Sequence, residues 1–225
     1  MESLFNVTPV KQKVFDNIKK IIMGRLNKKV TNVYKISNRK GVTKTFKIDI
    51  ENSPSLRLDI RFPGNLNRLQ KVATNHNIEM PKIVFIQDGY KFSEWVEGVM
   101  LHKVWDIADV FIKSGDLVGR LNKVRDPQTK GFLMNAEFSS TNAIYTNSKK
   151  VYIIDHDRLK TSSNPDASVV QIALKRIREK ERILLFLESY SKHRKIDEIM
   201  KAIEKRNWNW DERKKLVTNA PKLRY

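Results

Sequence analysis

Three residues in the middle of the sequence have types and spacing suited to one kind of chemistry. Glu137 and Asn142 lie five apart in "FLMNAEFSSTNAIYT", and Asp155 closes the apolar run "VYIID". If the segment folds as loop, strand, turn, strand, the two carboxylates and the amide fall within reach of one another. Transfer of a terminal phosphoryl group asks for such a set. One carboxylate takes the proton of the acceptor hydroxyl, while an amide oxygen and a second carboxylate hold a divalent metal against the phosphates. Glu137 suits the first role, and Asn142 with Asp155 the second. Each also has an ordinary use, as a turn cap for Asn142 or Asp155 and as an exposed loop glutamate for Glu137. The three carry weight only together.

The elements around them follow from hydrophobic spacing. "PVKQKVFDNIKKIIMGRL" (9–26) places Val10, Val14, Ile18, Ile21, Ile22 and Leu26 on one helical face. "NVYKIS" and "TKTFKIDI" are strand-like around "NRKG", which has the Asn and Gly of a hairpin turn, and "LRLDIRF" alternates as another strand. "NLNRLQKVATNHNI" has helical spacing, and "PKIVFIQDGYKFSEWVEG" reads as two strands around Asp88-Gly89. "LHKVWDIADVFIKSGDLVGRLNKV" predicts a helix beginning near Leu101, "NAIYTN" with "KKVYIID" a short hairpin, and the chain from Ala167 onward helices. The organisation expected is a sheet-rich part over 1–94, a connection at 95–98 and a larger helical part over 99–225.

Bulk properties narrow the function classes. A chain of 225 residues that is 40% apolar can bury a full core. Its longest apolar runs, "RILLFL" and "KIVFI", fall far short of the ~18–20 residues that span a bilayer. The amino terminus lacks the pattern of a signal peptide. With no cysteine, disulfides, thiolate metal sites and cysteine nucleophiles are excluded, and a cytoplasmic setting is the expectation. His76, His102, His156 and His193 show no metal-ligand spacing, which argues against a histidine-based metal hydrolase. The formal charge of +19 attracts polyanions such as nucleotides, nucleic acid or an anionic glycan, or equally reflects a lysine-rich composition. Trp208 and Trp210, in "EKRNWNWDERKK", have the type to stack on bases or to dock a terminal helix.

Taken in order, these phrases resemble the aminoglycoside- and choline-kinase-like phosphotransferases. "NAEFSSTN…VYIIDHD" is similar to that family's catalytic segment, H-x-D-x-x-x-x-N followed by a strand ending in I-D-x-D, and "VYIIDHDRLK" looks like the phrase of the lipopolysaccharide Kdo kinases. "KFSEWVEGVML" resembles the family's hinge, and "VTNVYKIS…TKTFKIDI" its opening hairpin. The resemblance runs from about Val30 to Lys160 and implies an α+β, two-lobed protein-kinase-like fold, with a small sheet lobe and a larger helical lobe. It implies ATP and Mg²⁺ as cofactors. Lys47 would steady the phosphates, in competition with Lys44, Arg57 and Arg61; if "LRLDIRF" is the third strand, an arginine replaces it. Backbone groups of the hinge, from Glu94, Trp95 and Val96 to Gly98, would hold adenine. Asn142 and Asp155 would bind metal, with Asp157 available for a second metal or for holding the following loop, and His156 would pack where relatives place an aromatic ring.

The departures from the pattern are specific. Asn135 stands in place of the family's His, and Glu137, one methylene longer, in place of its Asp. The helix "NLNRLQKVATNH" has no acidic residue to pair with a strand cation, and no glycine-rich phosphate loop is present. A carboxylate displaced by about an ångström can cost on the order of a hundredfold in rate. Three functional readings therefore stand. The first is an ATP- and Mg²⁺-dependent phosphotransferase acting on a hydroxyl of a small molecule or saccharide, the basic balance favouring an anionic acceptor such as a lipopolysaccharide-type sugar. The second is a catalytically impaired pseudokinase serving as a binding or scaffold module. The third is a basic nucleic-acid-binding protein.

Overall fold

The computed structural model of the protein describes residues 6–37, 45–60, 64–136, 138, 142–154 and 159–204. The chain divides into two compact units, Met1–Asn67 with Pro81–Val96, and Arg68–Met80 with Glu97–Tyr225.

The first unit is a six-stranded antiparallel sheet backed by a helix. Its strands are β1 (Asn6–Pro9), β2 (Val30–Ser37), β3 (Thr45–Ile50), β4 (Ser53–Ile60), β5 (Ile83–Gln87) and β6 (Tyr90–Glu94), in the order β1-β2-β3-β4-β6-β5. Strict alternation in "TFKIDI" and "SLRLDI" divides the sheet into two faces. Phe46, Ile48, Ile50, Leu56, Leu58 and Phe92 gather on one of them in a core with Ile18 and Ile22 of α1 (Gln12–Leu26). Each such side chain contributes roughly 1.5–3 kcal/mol on burial. The helix stops where Asn27 turns left-handed (φ 51°), its N–H bonding to Met23 O at 3.0 Å. Asp88 (φ 50°) and Gly89 (φ 77°) supply the two left-handed positions of the tight turn joining β5 to β6.

Two expectations shift here. The helix expected from residue 9 begins at Gln12, because residues 6–9 pair with β2 as an edge strand that ends at Pro9. Val14, on the expected apolar face, remains 38% exposed. The "NRKG" turn lies outside the described residues.

The helix α2 (Gly64–Asn75) starts in the first unit and ends in the second. The second unit contains the strands β7 (Val99–Met100), β8 (Phe132–Asn135), β9 (Ala143–Tyr145), β10 (Val151–Ile153) and β11 (Leu159–Ser162). Its further helices are α3 (Ala108–Lys123), α4 (Pro165–Arg176), α5 (Lys180–Ser191) and α6 (Asp197–Glu204). The helix expected from Leu101 begins at Ala108 instead. Leu101–Lys103 form a single 3₁₀ turn, and the intervening Trp105 gives its carbonyl to Arg182 (2.9 Å) and tilts its ring onto Phe111. Close contact of α3 with α5 depends on two glycines one turn apart. A Cβ at Gly115 would strike the carbonyl of Phe186, and one at Gly119 would come within 2.8 Å of the His193 ring. A chain of polar groups links α3, α5 and α4: Asn122 Nδ2 donates to Tyr190 Oη (2.9 Å), Tyr190 donates to Asp166 (2.5 Å), and Arg194, just past α5, grips Asp166 at 2.8 and 2.7 Å.

Candidate functional site

The sheet face opposite the core is polar, and its residues follow from the same alternation. Lys47, Arg57 and Ser93 are direct cross-strand partners on β3, β4 and β6, so their side chains leave one face side by side. One ladder step away, Thr45, Asp59 and Lys91 form the next row. Lys91 is wholly buried and its ammonium lies 3.0 Å from Asp59 Oδ2. Arg57 Nε reaches both Asp59 oxygens at 2.8 and 3.0 Å, and Thr45 Oγ1 donates to Oδ1 at 2.9 Å. Burial alone would push the Asp59 carboxyl up; the Arg57 and Lys91 cations more than offset it and bring it down to about 2.

Lys47 lies on the same face. Its ammonium is 3.8 Å from Asp49 Oδ1 and 5.3 Å from the centre of the Trp95 ring, and the side chain is 24% exposed. Trp95 continues β6, its N–H donating to Ser55 O at 3.1 Å, while the Glu94 N–H donates to Lys82 O at 3.0 Å. Glu94 itself is exposed, and its Oε2 accepts from the Lys82 N–H. Val96 is half-buried.

In the second unit, strand pairing joins the described residues on either side of the two expected catalytic segments. β8 pairs with β11, Asn135 opposite Leu159, and β9 pairs with β10, Ala143 opposite Ile153. The link from β8 to β9 and the link from β10 to β11 therefore both begin in one strand pair and end in the other. The Ile154 N–H donates to Asn142 O at 3.0 Å at the seam. Glu137, Asp155, His156 and Asp157 lie outside the described residues, as do Trp208 and Trp210. Gly98 must be glycine for this packing, since a Cβ there would meet both Ile144 Cγ2 and Tyr145 O at 2.5 Å. Asn135, where the resembled family has His, is buried at the end of β8.

Among the described residues no three acidic or histidine side chains gather as a metal site. Of the expected metal donors those residues include the Asn142 amide, a hard oxygen of the kind Mg²⁺ takes. Sequence reasoning weighed Arg57 but passed over Asp59 and Lys91. The signal was available in the parity of Lys47-x-Asp49, Arg57-x-Asp59 and Lys91-x-Ser93, charged or polar residues alternating with core residues on three strands. Their burial was not.

The sequence matches no family model and no curated protein. Its fold is similar to that of a spectinomycin phosphotransferase in complex with ADP and spectinomycin (10% identity, TM-score 0.65, covering 95% of this chain and 88% of that one). It is similar also to a Plasmodium vivax ethanolamine kinase (10%, TM-score 0.64, 96% and 82%) and to a choline kinase from Streptococcus pneumoniae (10%, TM-score 0.59, 94% and 98%). The chain has the protein-kinase-like fold, in the form shared by these small-molecule phosphotransferases.

Proposed function

We propose that the protein is a phosphotransferase that moves the terminal phosphoryl group of ATP to a hydroxyl of a small molecule. The observation that supports this reading is the pairing of the described strands that flank the two expected catalytic segments, Asn135 opposite Leu159 and Ala143 opposite Ile153. The fold supports it, since proteins of similar fold include a spectinomycin phosphotransferase with ADP bound, an ethanolamine kinase and a choline kinase.

In this reading Glu137 accepts the proton of the acceptor hydroxyl. Asn142 and Asp155, with Asp157, present oxygen ligands to Mg²⁺, which when bound neutralises charge on the transferring phosphates. Lys47 and its cross-strand neighbour Arg57 supply cations to those phosphates. Trp95 offers an aromatic face, and because the N–H groups of Glu94 and Trp95 are engaged within the sheet, N–H donors for the adenine ring come from Val96 onward. The chain's charge of +19 favours an anionic acceptor, a phosphorylated or acidic saccharide among them.

ADP release is to be measured with ATP, Mg²⁺ and a panel of choline, ethanolamine, aminoglycosides and acidic sugars, for the wild type and for Asp155→Ala. The expected result is acceptor-dependent ADP release that the variant loses while its melting temperature holds. Full turnover in Asp155→Ala overturns the assignment. Asn135 and Glu137 at the catalytic loop favour one second reading, a nucleotide-binding module without turnover. Calorimetric ATP binding with no ADP release on any acceptor selects it.

A further inference from the structure

The buried charges on the sheet have a use beyond stability. We propose that Asp59 is a positioning residue for Arg57: anchored by buried Lys91, its carboxylate fixes the Arg57 guanidinium toward the phosphates of the bound nucleotide. This rests on the phosphotransferase reading.

Protein kinases hold their strand cation with a glutamate from the neighbouring helix. Here the corresponding helix α2, "GNLNRLQKVATN", has no acidic residue. The carboxylate comes instead from the same strand, two residues on, where Asp59 shares a sheet face with Arg57. Both Asp59 oxygens are engaged, Oδ1 by Thr45 and Arg57, Oδ2 by Lys91 and Arg57. Arg57 reaches both Asp59 oxygens through Nε, at the inner edge of the guanidinium. Arg57 keeps 17% side-chain exposure while Lys91 has none, so of the two cations on Asp59 Arg57 lies nearer the surface and Lys91 deeper.

A stability role alone accounts poorly for this arrangement. Replacing a buried ion pair by apolar groups of similar size is often neutral or favourable, because desolvating two charges costs about as much as their attraction returns. What a buried carboxylate adds is orientation of a planar, forked cation, for which arginine is suited and lysine is not.

The test is ATP affinity by titration calorimetry, with Mg²⁺, alongside thermal melts. The double variant Asp59→Asn/Lys91→Met removes both buried charges at little cost in shape. It is expected to melt close to the wild type yet bind ATP about tenfold more weakly. Arg57→Met should show the same loss, and adding the double change to Arg57→Met should cause no further loss. Wild-type affinity in the double variant, or losses that add to that of Arg57→Met, overturns the inference and leaves the phosphotransferase reading standing. Absence of ATP binding by the wild type overturns both. Should the double variant not fold, the single variants decide: Asp59→Asn is expected to lose more affinity than Lys91→Met, and equal affinities refute the positioning role.

Discussion

The main-chain N–H of Ile154 bonds to the carbonyl of Asn142 at 3.0 Å, joining the residue just before Asp155 to the proposed amide ligand of the metal. Two residues distant in sequence are joined there by a main-chain hydrogen bond. That main-chain bond does not require the Asn142 amide side chain. Asn142→Ala is expected to weaken Mg²⁺-dependent ATP binding by about tenfold, with a melting temperature near that of the wild type. Calorimetric titrations with and without Mg²⁺ check it, and an unchanged Mg²⁺ dependence would remove Asn142 from the metal site.

Asp59 makes stability depend on acid. Its carboxyl is held down to about 2 in the folded chain against 3.8 for the unperturbed group, so below about pH 4 the unfolded chain takes up the proton first. The contribution is complete above that range and is lost as pH falls through 2. The shift corresponds to roughly 2 kcal/mol. Denaturant melts of the wild type and Asp59→Asn between pH 5 and pH 2 should show the gap between the two shrinking by about that amount. A gap independent of pH would contradict the ion-pair account.

Two glycines should respond in opposite directions. Gly24 lies on the exposed side of α1 with nothing within 4 Å of its added Cβ, so Gly24→Ala is expected to stabilise by about 0.5–1 kcal/mol. Gly115 faces the α5 backbone at Phe186, which cannot move aside as a side chain would, so Gly115→Ala is expected to cost about 1–3 kcal/mol. Urea melts of both variants measure the difference, and equal effects would mean that α3 and α5 do not pack this closely.

Tyr190 is wholly buried between Asn122 and Asp166, and burial together with the Asp166 carboxylate pushes its phenol well above the ordinary range. It is therefore a neutral donor at both pH 6 and pH 9. Tyr190→Phe leaves Asn122 Nδ2 without its phenol acceptor, an expected cost of about 1–3 kcal/mol. Since the ring packing survives, the loss should be the same at pH 6 and pH 9. A pH-dependent difference would indicate that the hydroxyl ionises.

The sequence by itself determined the parts whose information is local. Alternation in "TFKIDI" and "SLRLDI" specified which side chains enter the core and which share the face with Lys47 and Arg57, because a strand's period of two leaves no other choice. Asp88-Gly89 specified its own turn through left-handed backbone, and the order of phrases from Val30 to Lys160 pointed to the kinase-like fold. What only the tertiary structure decided is non-local. Strands of three or four residues such as β1, β8 and β11 are too short to show a period, and they exist because a partner far along the chain completes their hydrogen bonds. The seam at Asn142 and Ile154 has the same origin. Nothing adjacent in the sequence marks Lys91 as buried; its counter-charge is Asp59, thirty-two positions earlier. A charge leaves water only when its counter-charge is already in place, and the fold, not the adjacent residues, brings the two together.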